Sequence, residues 1–107
     1  MEDRREYVRR VLDAYRITPG TAGVIRKPDR VTASQLYERG VALNVVENAL
    51  LLAAARRMMR PADATPLAII RSLAYFMPVI EEVLQLKVGP EYFQHLRARI
   101  QRVIAAR

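Results

Sequence analysis

The chain has no cysteine. That excludes disulfides, thiolate nucleophiles and cysteine-based metal sites, and it suits a reducing compartment. Histidine is nearly as scarce: His95 stands alone in an arginine-rich stretch, where it reads as a surface residue rather than a general base. Of 18 basic residues only Lys27 and Lys87 are lysine. With abundant alanine, that skew is what a GC-rich genome produces without selection for binding. No long apolar run is present either. "LAIIRSLAYFMPVI" carries Arg71 and is too short to cross a bilayer, and "MEDRREYVRR" lacks the apolar core of a secretory signal. A soluble, cytoplasmic domain of bacterial type is expected, with no membrane partner.

Catalytic constellations are missing as well. No set of four metal ligands has a recognised spacing. "TPGTAG" has neither the lysine nor the spacing of a phosphate-binding loop. Glu81 and Glu82 diverge by about 100° on a helix, so they do not face one substrate and read as a solvated face. The chain is therefore read as non-enzymatic, with no metal and no cofactor. Strand signals are confined to the short "AGVIRK" and "VGPEYF". There is no repeat, low-complexity tract or linker, so residues 1–107 form a single domain.

What the sequence holds is helix. Half of it is apolar, at 51%, and the apolar positions recur with helical period. In "EDRREYVRRVLDAYRI" Tyr7, Val8, Val11, Leu12 and Tyr15 share one arc, predicting a helix over 2–17. On its other side Arg5, Arg9 and Arg16 lie within reach of Glu2, Glu6 and Asp13, the pattern of a solvated face with internal ion pairs. "TPGTAG" then breaks the chain. Pro28 suits the start of a second helix over 28–39, and Gly40 its end. Asn44 and Glu47 have capping-box spacing, predicting a third helix over about 45–59 that Pro61 stops. Thr65 and Pro66 predict a fourth helix from "PLAIIRSLAYFM", which Pro78 kinks or divides before "VIEEVLQL". "KVGP" breaks the chain again and Pro90 opens a last helix. The sum is an all-α, compact bundle of five or six helices with the 45–59 helix buried at its centre.

The net charge of +7 favours a polyanionic partner. Within "TASQLYERGVALNVVENALLLAAARR", Gly40 in the turn, Val41 after it and Val46 in the second helix resemble the bacterial helix-turn-helix pattern over residues 32–60. That resemblance implies DNA reading by the second helix. Leu36 and Arg39 depart from the pattern, and "ALLLAAA" places Leu and Ala around nearly the whole circumference, as in a buried helix. The basic stripes elsewhere suit phosphate contact better: Arg97, Arg99 and Arg102 in the last helix and Arg26, Lys27 and Arg30 in "RKPDR", with Arg56, Arg57 and Arg60 adding charge at the end of the third helix. Tyr75, Phe76, Tyr92 and Phe93 read as packing residues, with base stacking the alternative. The whole is similar to short helical proteins of bacterial replication or mobile-element operons. The expectation is a nucleic-acid-associated accessory protein (DNA or RNA) binding the phosphate backbone. The alternative is a helical protein–protein adapter or homodimerisation module, since two strongly apolar helices are hard to cover in so small a chain.

Overall fold

A computed structural model of the chain describes residues 3–86 and 90–106. Its elements are α1 (Arg4–Ile17), α2 (Lys27–Glu38), α3 (Leu43–Met58), a 3-10 turn (Leu73–Phe76), α4 (Met77–Gln85) and α5 (Pro90–Ala105). The all-α bundle of five helices agrees with the pattern of apolar residues. Two details of the sequence reading, Glu2 as an ion partner and most of the "KVGP" break, lie outside the described residues.

Helix α3 is the centre. Val46, Ala49, Leu50, Leu52, Ala53, Ala54 and Ala55 are buried, and the helix packs against α1, α4 and α5. Small residues let neighbouring backbones approach closely on several sides, while the leucines fill the space between. Helix α2 lies instead on α1 and the 3-10 turn. The core continues through Tyr15, Leu36, Leu73, Phe76 and Ile80, all fully buried. The Tyr15 ring meets Phe76 edge-on, with centroids 6.1 Å apart. Burial, then the nearby Asp29 carboxylate, raise the Tyr15 hydroxyl above its ordinary pKa, and among the described residues its oxygen has no hydrogen-bond partner.

Two helix starts differ from the sequence reading. The Asn44–Glu47 pair is not a cap: α3 begins at Leu43 behind Ala42, and no side chain caps it. The reason lies in the turn before it. Gly40 takes a left-handed φ of +74°, the Val41 N–H donates to Leu36 O, and the chain re-enters a helix within three residues. Tyr7 Oη pins the same turn to α1 by donating to Val41 O at 2.7 Å.

The predicted helix from Pro66 does not form. Residues 66–72 form no helix and carry only an isolated bridge at Ile70, and Pro78 opens α4 instead of kinking a longer helix. Ile70 pairs with the first loop: its N–H donates to Gly20 O and its carbonyl accepts from the Ala22 N–H, both at 2.8 Å. Ile70 is buried, whereas Leu67 and Ile69 stay 44% and 49% exposed, so only one residue in the stretch gains from burial. The second apolar helix behind the homodimer expectation is therefore only half formed: 66–72 is not helical, and its remainder enters the 3-10 turn and α4.

Candidate nucleic-acid interface

A buried carboxylate organises the start of α2. Asp29 is 1% exposed; it accepts the Arg26 N–H at 2.9 Å and the Leu73 N–H at 2.8 Å. One residue thus fixes where α2 begins and ties it to the 3-10 turn. A carboxylate in the first helical turn also meets the positive end of the helix dipole. Arg26, Lys27 and Arg30 follow from this geometry: all three are exposed on or beside that first turn. Among the described residues, none has a carboxylate at ion-pair distance.

Arg30 opens onto a groove that the sequence did not indicate. Between α1 and α2 lies a depression of about 680 Å³, with Val8, Leu12 and Ile25 as its floor and Arg4, Arg5, Arg9 and Arg30 at its rim. It adjoins a second depression of about 520 Å³ on the outer face of α2, lined by Lys27, Arg30, Val31 and Ser34 among others. The carboxylates lining the two are Asp13 and Glu38. Both are already neutralised: Asp13 by Arg9 at 3.2 Å, Glu38 by Arg4 at 2.6 Å. Glu6, just outside, is held below the usual carboxylate range by its hydrogen bond from Arg9. Among the described residues, Arg5, Lys27 and Arg30 have no carboxylate partner. Helix α1 does carry internal ion pairs of the kind its sequence suggests; among the described residues Arg5 is not in one.

The arginines at the end of α3 are committed to holding the fold. Arg56 makes a two-pronged pair with Glu82, with Nη1 to Oε2 at 2.7 Å. Arg57 donates to Ala68 O at 2.8 Å and to Tyr75 Oη at 3.3 Å, with its guanidinium 5.9 Å from the centre of the Tyr75 ring. Arg60 donates to Thr65 O at 2.7 Å. Together they strap the 61–75 connection and α4 onto α3. Glu81 likewise meets Arg39 at 2.6 Å, so the acidic pair of α4 reaches the end of α2 and the end of α3 while both side chains stay on the solvated surface. Hydrogen bonds from these guanidinium groups hold both carboxylates below their ordinary range and raise Arg39 and Arg56.

Helix α5 divides its cations. It buries Phe93, Leu96 and Ile100 against α3. His95, Arg99 and Arg102 are exposed within an arc of about 60° on the outer side. Among the described residues none of them forms an ion pair. Arg97 points elsewhere, into a cleft of about 270 Å³ between α3 and α5 that Asn44, Glu47, Asn48 and Gln94 also line. Of the four aromatics, Phe76 and Phe93 are packed, while Tyr75 and Tyr92 are 48% and 47% exposed. Among the described residues no group of three or more His, Asp or Glu is placed to hold a metal ion, and no helix is long and apolar enough to cross a membrane. Compared with protein-family models, curated proteins and solved structures, the chain matches none.

Proposed function

We propose that the chain is a non-enzymatic, nucleic-acid-associated accessory protein of the bacterial cytoplasm that binds the phosphate backbone. The observation carrying this reading is the α1–α2 groove: of the five cations lining it and its extension, Arg4 and Arg9 pair with the two lining carboxylates, and three are left over among the described residues. A concave basic surface focuses potential and attracts polyanions. The apolar floor accommodates the stems of the long side chains while their charged heads stay in water. Contacts of this kind position a backbone without reading bases.

The packing of α3 supports this reading over a helix-turn-helix one. Leu50, Leu52 and its alanines are buried where α1, α4 and α5 pack on it, and Asn44, Glu47 and Asn48 line a cleft against α5. A recognition helix presents such polar residues to an open groove. A self-associating adapter is the second reading, resting on Ile17 at 73% and Ile104 at 49% exposure. Fluorescence anisotropy with a labelled 20-base-pair duplex tests the first. Arg5→Glu with Arg30→Glu is expected to remove most binding while far-UV circular dichroism stays unchanged; undiminished binding would sink the groove assignment.

A further inference from the structure

We propose that one copy of the chain bridges two duplex segments, holding one in the α1–α2 groove and the other along the outer face of α5. This inference rests on the phosphate-binding reading and adds a second surface to it.

The α5 face is built differently from the groove. His95, Arg99 and Arg102 lie in one exposed row, and the described part of the helix carries a single acid, Glu91, in its first turn. The row spans about 10 Å, roughly three phosphate steps along a duplex axis. Its direction follows from helix geometry. The buried stripe of Phe93, Leu96 and Ile100 faces α3, and the mean direction of the row is about 120° away from it.

The groove faces another way again. On α1, Arg5, Val8, Arg9 and Leu12 line the groove, while Ala14 and Ile17 line a cleft shared with Arg97 and Ile100 of α5. At 100° per residue these two sets are about 160° apart around α1. The groove therefore opens on the side of α1 turned away from α5, and α1 and α3 stand between the two basic surfaces.

Size and stiffness turn two surfaces into two ligands. The molecule measures 41 × 31 × 23 Å, whereas charges are screened over about 8 Å at physiological salt. A polyanion on one surface therefore does not repel one on the other. A duplex has a persistence length of about 150 base pairs, so a short one cannot bend around the body to occupy both. Among the described residues the groove offers three cations without a carboxylate partner and the α5 face two arginines beside His95, so the groove dominates the binding of a single duplex and the α5 face is occupied second. On long nucleic acid the second contact forms at high effective concentration.

The test mixes two 20-base-pair duplexes, one with a donor and one with an acceptor dye, with the full-length chain in 50 mM salt. Energy transfer is expected to rise as protein is added up to about equimolar and to fall when unlabelled duplex is in excess. Arg99→Glu with Arg102→Glu is expected to abolish transfer while anisotropy still shows binding of a single duplex within about threefold of the parent. Arg5→Glu with Arg30→Glu is also expected to abolish transfer, and circular dichroism checks that both variants keep their helices. Baseline transfer by the parent chain, with anisotropy showing binding, would overturn bridging and leave the groove reading standing. Transfer surviving in the α5 variant would overturn it too, because two self-associated copies would then be joining the duplexes. No binding by anisotropy at 50 mM salt would overturn both readings.

Discussion

Replacing Asp29 with alanine is expected to be among the most damaging single changes in this chain. Its carboxylate is 1% exposed and accepts two backbone N–H groups, from Arg26 at 2.9 Å and Leu73 at 2.8 Å. Hydrogen bonds to a charged acceptor contribute about 1.5–3 kcal/mol each, and a buried donor left unpaired incurs its desolvation cost. Removing both acceptors while also relieving the carboxylate of its own burial cost gives a net loss of about 3–4 kcal/mol. A domain of this size has about 5–15 kcal/mol in total, so the variant stands near the edge of folding. An asparagine side chain at this position would keep one acceptor and set an amide N–H₂ against the other donor, so Asp29→Asn is expected to lose about half as much. Guanidinium unfolding followed by circular dichroism reads both, with unchanged slopes confirming that the native state is comparable. A loss under about 1 kcal/mol for Asp29→Ala would refute the claim that this carboxylate sets the start of α2.

Two further predictions concern the same framework. Glu81 and Glu82 have lowered pKa values in the fold through hydrogen bonds from Arg39 and Arg56. A depressed acid stabilises the fold above its unfolded value near 4.5 and ceases to do so as pH falls through the folded value. Thermal midpoints of the parent chain and of Glu81→Gln with Glu82→Gln are thus expected to differ at pH 7 and to converge below pH 4; a constant gap would contradict these pairs. Gly20 and Gly40 both have positive φ, +93° and +74°, but a Cβ on Gly20 would lie 3.0 Å from Arg57 Nε whereas one on Gly40 meets nothing within 4 Å. Gly40→Ala is expected to cost about 1 kcal/mol, the left-handed penalty alone, and Gly20→Ala more because the Arg57 strap must also shift; equal losses in denaturant titrations would refute the strap.

Local pattern made much of this architecture legible. The stripe of Phe93, Leu96 and Ile100, the proline starts at Pro28 and Pro90, and the crowding of Leu and Ala in α3 are visible because a helix writes its environment at fixed spacing. The stretch 66–72 misled for the same reason: Leu67, Ala68, Ile69 and Ile70 fit a helical template. Its conformation was decided by partners far away in sequence, namely Gly20, Ala22 and Arg57. Asn44 and Glu47 had the right spacing for a cap, but the turn at Gly40 started the helix one residue before Asn44. The interface was legible only in part. Arg26, Lys27 and Arg30 showed as a basic loop, and Arg99 with Arg102 as a helical row. Nothing local revealed that Glu82, Ala68 and Thr65 engage Arg56, Arg57 and Arg60, or that α2 lies beside Arg5 and makes a groove of it. Asp29 itself left only the faint signal of an acid just after a helix-opening proline.

The salt dependence of duplex binding tests the central claim most directly. With Arg5, Lys27 and Arg30 each neutralising one phosphate, the slope of log K against log salt is expected near −2.7, a loss of about 40-fold between 50 and 200 mM. Substituting Arg30 with glutamine is expected to reduce the slope by about one unit, equally for unrelated duplex sequences. A slope near zero, or one that Arg30→Gln leaves unchanged, would contradict phosphate binding in the α1–α2 groove.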